Sequence, residues 1–247
     1  MISVCMATYN GGKYIGAQIG SILLQMGERD ELIIQDDGSN DSTLSIIAEF
    51  KDPRIYVEVN KENMGVIENF ELALVRAKGD IIFLSDQDDE WLPGKVVAVM
   101  KEFERRNVTA VVTDALIIDG DERVIAESYF VQIGSGPGVW KNFLHNSYLG
   151  CCLAFRREVL EPGLPVPLQI RTHDGWIGLV ANMIGEVVFL RTPLLRYRRH
   201  GGNVSQMHRF SMMDVMKRRI FLALHMIRVQ PAVRATRKSL SMGKSFK

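Results

Sequence analysis

The sequence predicts an α/β protein: a mostly parallel sheet flanked by helices, continuing into a smaller antiparallel and irregular half. Three observations carry that prediction. Short apolar runs alternate four times with segments of helical period over residues 1–100, most of these runs lack the in-and-out alternation of a half-wet sheet, and three of them end abruptly in polar or acidic turns. Strands covered on both faces look like this in parallel sheets, and such strand–helix units wind right-handed.

In chain order, Ile2 to Ala7 is a first buried strand, followed by the turn Thr8-Tyr9-Asn10-Gly11-Gly12 and a helical pattern from Lys13 to Gln25. Glu31 to Gln35 is the second strand, closed by Asp36-Asp37-Gly38-Ser39-Asn40-Asp41, where Asp41 or Ser42 caps a helix reaching about Phe50. Arg54 to Val59 alternates as a strand, Asn63-Met64-Gly65 is a turn, Val66 to Ala77 is helical, and Ile81 to Leu84 is the fourth strand. Four acids follow within Asp86-Gln87-Asp88-Asp89-Glu90, and Pro93 opens a helix to about Arg106. Thr109 to Ile118 is a strand turning through Asp119–Glu122 into Arg123 to Ala126. Residues 127–170 hold many chain breakers, so loops are expected there around a short strand, Cys152 to Phe155. Asp174 to Met183 is a compact helix, Glu186 to Leu190 and Leu194 to Arg198 are strands, and His200-Gly201-Gly202-Asn203 is a loop.

The composition narrows the function classes. No apolar run approaches the roughly 20 residues that span a bilayer, and Met1-Ile2-Ser3-Val4 lacks the basic region and long apolar core of a secretory signal, which predicts a cytoplasmic location. Cys5, Cys151 and Cys152 suit reduced thiols better than a disulfide framework or a zinc site. The net charge of +1 hides an asymmetry: residues 209–247 hold ten bases and one acid, Asp214, and so carry +9 against −8 for the remainder.

Ligands of open α/β sheets bind outside the carboxyl ends of the strands. Three polar turns fall there: Thr8-Tyr9-Asn10, Asp36-Asp37-Gly38-Ser39 and Asp86-Gln87-Asp88-Asp89. A nucleotide base can stack near Tyr9 and donate an N–H to Asp36 or Asp37, while a divalent cation on Asp88 bridges a diphosphate. Neither GxGxxG nor GxxxxGK[ST] is present, so charge neutralisation falls to a metal, and a nicotinamide-dependent dehydrogenase is disfavoured.

These turns, with Asn63-Met64-Gly65, the Gly79-Asp80 lead-in, and Trp91 and Pro93 behind the acids, resemble inverting family 2 glycosyltransferases of the GT-A fold, a Rossmann-like architecture. The resemblance is specific over residues 1 to about 100 and looser to about 205. It implies a glycosyltransferase domain at 1–205, with a nucleotide-binding half (1–100) and an acceptor half (101–205), followed by a basic amphipathic helix and tail at 206–247. It also implies that Ala7, Thr8, Tyr9, Asn10, Asp36, Asp37, Asn63, Gly65, Asp86 and Gln87 line the nucleotide site and that Asp88 holds Mg²⁺ or Mn²⁺. The family's catalytic base begins a helix well beyond the metal motif, where Thr172-His173-Asp174-Gly175-Trp176 places Asp174. Trp91, Tyr148, Gly150, Cys151, His173 and Trp176 fall where the family builds its sugar and acceptor pocket, and Trp91, Trp140 and Trp176 are each either a platform for a sugar or core. Tyr197-Arg198-Arg199-His200-Gly201-Gly202-Asn203-Val204-Ser205 resembles a segment of rhamnosyltransferase-like members, in which His200 would reach the metal or only shape the loop.

The function so implied is metal-dependent, inverting sugar transfer from a UDP- or dTDP-linked donor to a hydroxyl of a surface polysaccharide or lipid-linked oligosaccharide. The alternative is a catalytically inactive nucleotide-sugar-binding or scaffold protein of the same fold. From Met212 to Arg228 apolar and basic residues mix at helical spacing, suiting either peripheral contact with an anionic membrane or packing on the body. Nothing aromatic or repeated in the tail supports nucleic-acid binding.

Overall fold

The computed structural model describes residues 1–167, 169–170, 172–200 and 212–242. One twisted sheet organises the chain. The strands are β1 (Ile2–Thr8), β2 (Glu31–Asp36), β3 (Ile55–Val59), β4 (Ile81–Ser85), β5 (Glu90–Trp91), β6 (Val108–Ile118), β7 (Val124–Ala126), β8 (Leu153–Arg156) and β9 (Glu186–Arg198). They lie in the order β3-β2-β1-β4-β8-β6-β9-β5, with β7 hairpinned onto β6. β1 to β4 pair in parallel as expected, and β6 pairs in parallel with β9. The antiparallel character comes from β8, inserted between β4 and β6, and from β5 and β7.

Burial explains the sequence pattern. β1, β2 and β4 are covered on both faces by α1 (Ile15–Leu23), α2 (Thr43–Glu49), α3 (Val66–Arg76) and α4 (Lys95–Phe103), whose inward stripes include Ile19, Ile22, Phe70, Leu74 and Val99. β3, at the sheet edge, is mostly exposed, which is why it alone alternates.

Two expectations change. Glu186–Arg198 is one strand rather than two: Leu190 pairs with Thr113 and Pro193 with Asp114, so Arg191-Thr192 bulges and the proline is tolerated at the irregularity. Residues 127–170, expected as loops, contain the short helices α5 (Tyr129–Ile133), α6 (Val139–Leu144) and α7 (Leu160–Gly163), plus a 3₁₀ turn at Gly150–Cys152. Helices this short leave almost no period to detect. Ser128 caps α5, accepting the Val131 N–H at 3.1 Å. α8 (His173–Ile184) is almost wholly buried, and α9 (Met212–Arg228) and α10 (Gln230–Ser241) lie against α6, α7 and α8. Among the described residues no helix is long and apolar enough to cross a membrane.

Candidate active site

The carboxyl ends of β1, β2 and β4 form one edge, where the polar turns meet. The buried Thr8 hydroxyl donates to Asp36 Oδ2 at 2.7 Å, and Ser39 donates to the same carboxylate through its N–H (2.7 Å) and its hydroxyl (2.6 Å). Asp37 accepts from Met64 N–H, Gly65 N–H and Asn60 Nδ2, each at 2.8 Å. Gly65 has φ +88°, a left-handed conformation that suits glycine, so Asp37 and Gly65 together fix the turn preceding α3. The two acids expected to contact a base therefore already serve as internal staples. Tyr9, Asn10 and Asn63 remain exposed on the rim, and Ala7 is half-buried beneath them.

Gln87 ties the first turn to the acidic one. Its side-chain amide accepts the Tyr9 N–H at 2.9 Å and donates to the Tyr9 carbonyl at 3.0 Å, closing the pair as a strand would. A Cβ at residue 11 would lie 2.2 Å from Gln87 Oε1, so only glycine admits this strut. From below, the buried Gln18 donates to Ser85 Oγ and to the Asp86 carbonyl, both at 2.9 Å.

The acids of Asp86–Glu90 separate by environment. Glu90 pairs with Arg196 at 3.0 Å across β5 and β9. Asp88 is half-buried, with Oδ2 2.9 Å from His200 Nε2, so the expected partners do meet. Asp89 is buried: Oδ1 accepts the Arg198 N–H at 3.0 Å, while Oδ2 has no hydrogen-bond partner. Burial, then the Asp88 and Asp174 charges, raises Asp86 to about 7; burial and the Asp88 charge likewise push Asp89 well above the ordinary carboxylate range. Asp86, Asp89 and the Cys151 thiol bring ligand atoms within 4.8 Å of one another. Burial holds that thiol well above its ordinary range, hence neutral, which makes it a poor partner for a hard cation. The carboxylates suit Mg²⁺ or Mn²⁺, the His200 imidazole is a ligand for Mn²⁺ more than for Mg²⁺, and the partnerless Asp89 oxygen is one lone-pair donor left unused by the fold.

Two cations beside this corner are built into the fold. Arg198, buried, donates from Nε to the Asp88 carbonyl at 3.0 Å, pairs with Glu122 at 3.4 Å and lies over the Tyr14 ring. Lys95, also buried, donates to the Cys151 carbonyl at 2.7 Å and sits 4.8 Å from the Trp91 ring centroid; burial lowers its pKa. Sequence reasoning missed Lys95 because Pro93-Gly94-Lys95 resembles an ordinary exposed helix start.

The opposite wall is α8 with the 3₁₀ turn. Thr172 occupies the cap position, so Asp174 lies inside the first turn, half-buried, with Oδ1 accepting the Gly175 N–H at 2.6 Å. Gly150 faces both Asp174 and His173: a Cβ there would sit 3.6 Å from Asp174 Oδ2 and 3.5 Å from His173 Nε2. His173 is buried, stacks on Phe70 at 4.1 Å, has Nε2 unpartnered and, by burial, stays neutral. The Gly150-Cys151 peptide thus spans from Asp174 to the acidic turn.

Three residues expected in a sugar pocket are core instead. Trp91 and Trp176 are 2% and 1% exposed; Trp176 donates its indole N–H to the Gly163 carbonyl at 2.8 Å, and Trp91 packs on Phe83. Tyr148 is buried against α8, its hydroxyl accepting from Asn182 at 3.4 Å. Trp140 is 75% exposed on α6. The Gly201–Ser205 segment lies outside the described residues. A separate hollow lined by Leu74, Asp80, Arg157 and Leu164 sits at the amino end of β4, away from these acids.

With this edge defined, comparison with known proteins is decisive. The model of glycosyl transferase family 2 matches residues 3–164. The chain belongs to that family. It is 36% identical over 185 residues to a putative teichuronic acid biosynthesis glycosyltransferase, TuaG, of Bacillus subtilis, covering 73% of this chain and 72% of that protein. An uncharacterized glycosyltransferase of Nostoc is 29% identical over 82% of this chain and 66% of its own length. The Escherichia coli UDP-Glc:alpha-D-GlcNAc-diphosphoundecaprenol beta-1,3-glucosyltransferase WfgD is 31% identical over 66% of this chain and 62% of its own length. The chain thus spans less than two thirds of those last two relatives. In three dimensions it matches Staphylococcus aureus TarS solved with UDP-GlcNAc (TM-score 0.74, 17% identity, 93% of this chain, 67% of that one). It also matches a Pyrobaculum calidifontis mannosyltransferase solved with GDP-Man and Mn²⁺ (TM-score 0.62, 17% identity, 99% and 76%). These likenesses establish the expected GT-A fold.

Proposed function

We propose that this chain is a metal-dependent, inverting glycosyltransferase that moves a sugar from a nucleotide-diphosphate donor to a hydroxyl of a surface-glycan or lipid-linked acceptor. The observation that carries the proposal is the convergence of the Asp174 carboxylate, across Gly150-Cys151, with the acidic turn at the end of β4. Asp88 and His200 would hold Mg²⁺ or Mn²⁺, which when bound neutralises charge on the diphosphate. Asp174 takes the proton of the acceptor hydroxyl as its oxygen bonds the anomeric carbon; the breaking C–O bond leaves its electron pair on the diphosphate. Attack opposite the leaving group inverts that carbon without a covalent enzyme intermediate.

The exposed Tyr9 ring and the rim residues Asn10 and Asn63 offer a place for the base, with Asp36 and Asp37 shaping the turns below it. Neutral His173, with Nε2 unpartnered beside Gly150, is suited to a sugar or acceptor hydroxyl. The name of the E. coli protein and the UDP-GlcNAc with which the S. aureus protein was solved favour a UDP-linked donor, and the resemblance around His200 favours a dTDP-linked, rhamnose-type one.

The test is transfer or donor hydrolysis with UDP- and dTDP-sugars, with and without added Mn²⁺. Asp88→Ala and Asp174→Asn should each lower turnover by roughly 10²–10⁴-fold while leaving thermal unfolding nearly unchanged. Undiminished turnover of Asp174→Asn removes the base assignment. Donor binding without any metal-dependent turnover in the wild type makes the chain a binding protein instead.

A further inference from the structure

α9 has two apolar faces, and the body covers only one. Leu222 and Met226, with Val229 just beyond the helix, pack against the core, and Arg219 anchors α9 to α6 by donating to the Phe143 and Leu144 carbonyls. On the far side Met213, Met216, Ile220, Leu224 and Ile227 are between 56% and 68% exposed. Their spacing of three, four, four and three residues puts all five on one stripe about 80° wide, given about 100° per helical residue. A lone exposed aliphatic residue is ordinary, whereas five aligned ones call for an occupant. Beside the stripe, α6 exposes Trp140 and Leu144, widening the apolar surface with an aromatic side chain.

Charge selects the occupant. Lys217 and Arg228, both exposed, fall about 40° and 60° round the helix from Met213, directly flanking the stripe. Arg234 and Lys238 are exposed on α10, and residues 209–247 carry +9 in total. The acid of α9, Asp214, lies about 100° from Met213, off the stripe. An isologous contact with a second copy would bring these like charges together. An anionic lipid surface instead neutralises them while the apolar side chains enter the headgroup–acyl boundary.

We propose that the outer face of α9, with Trp140 and Leu144 of α6, is a docking surface for an anionic phospholipid bilayer, on which the protein lies without spanning it. This extends the reading of a lipid-linked acceptor but does not depend on it. Binding is measured without donor or acceptor, so its failure and a failure of transfer are separate results.

The full chain is floated with phosphatidylglycerol-containing vesicles and, in parallel, with phosphatidylcholine alone. Preferential binding to the anionic vesicles, weakened by salt, is expected. Ile220→Glu with Leu224→Glu should lower the bound fraction by at least about tenfold. Lys217→Glu with Arg228→Glu, which touches no apolar contact, should lower anionic binding several-fold and guards against misfolding of the first variant. Both variants should unfold at the wild-type temperature. The proposal is overturned if the wild type ignores anionic vesicles at low salt, or if the Ile220→Glu/Leu224→Glu protein still binds them. It is equally overturned if light scattering shows a dimer that Ile220→Glu dissolves, which assigns the stripe to a second copy.

Discussion

The two acidic turns at neighbouring strand ends are built from the same residue type and do opposite things. At the end of β2, Asp36 and Asp37 each accept three hydrogen bonds, from Thr8 and Ser39 and from Asn60, Met64 and Gly65. At the end of β4, Asp89 is as deeply buried as Asp36 but has one oxygen without a partner, and Asp86 beside it is raised to about 7. A satisfied carboxylate builds shape. Crowded carboxylates, one of them with a partnerless oxygen, hold unfavourable electrostatic energy that a bound cation would relieve. The division of labour between the turns is therefore set by donors supplied from elsewhere in the chain, not by the acids.

The sharpest way to break this comparison is the same one-atom change at both turns. In Asp37→Asn the amide must turn N–H donors toward the Met64 or Gly65 N–H, orphaning a donor and removing charge-assisted bonds. A loss of about 3 kcal/mol is expected, which lowers Tm by roughly 6–12 °C for a chain of this size. Calorimetry or denaturant titration checks it; a loss below about 1 kcal/mol would show that the staple is dispensable.

An intermediate effect is expected at the strut between the β1 and β4 ends. Gln87→Ala removes both bonds to the Tyr9 backbone in a half-exposed setting, so stability should fall by about 1 kcal/mol. The consequence for donor affinity should exceed the consequence for the fold, because the Tyr9 ring loses its fixed position. Titration calorimetry with UDP and dTDP in Mn²⁺ would show a several-fold rise in Kd, and an unchanged Kd would detach Gln87 from the site.

Much of this was legible in the sequence, for a local reason. Apolar runs such as Ile81–Leu84 ending in acids reveal a buried strand and the edge where the polar turns gather without any tertiary knowledge, and Asp174 is placed by the sequence at the start of an apolar helix, where the structure has it. What was not legible depends on residues brought together from afar. Asp36 and Asp37 could not be told from Asp86 and Asp88 until their donors, at residues 8, 39, 60, 64 and 65, were in place. Lys95 carried no signal in the sequence, and Trp91 and Trp176 could be either platform or core, because burial is a property of the packed sheet. β8 lies between β4 and β6 although nearly 70 residues separate it from β4, a pairing no period encodes.

The smallest effect expected is also the most discriminating. Asp89→Asn keeps an acceptor for the Arg198 N–H and replaces a partnerless oxygen, so it should change stability by less than about 1 kcal/mol near neutral pH, against about 3 for the identical change at Asp37. The pH dependence supplies the sign. Because burial and Asp88 raise the Asp89 pKa, the folded chain binds this proton more tightly than the unfolded chain. Its contribution is therefore most favourable below the ordinary carboxylate pKa and declines as pH climbs toward the raised value. The Asn variant lacks that decline, so its stability relative to wild type should improve as pH rises through this range. A loss of 3 kcal/mol on Asp89→Asn, growing with pH, would mean instead that an ionised Asp89 neutralises buried Lys95, and that the β4 turn is satisfied internally just as the β2 turn is.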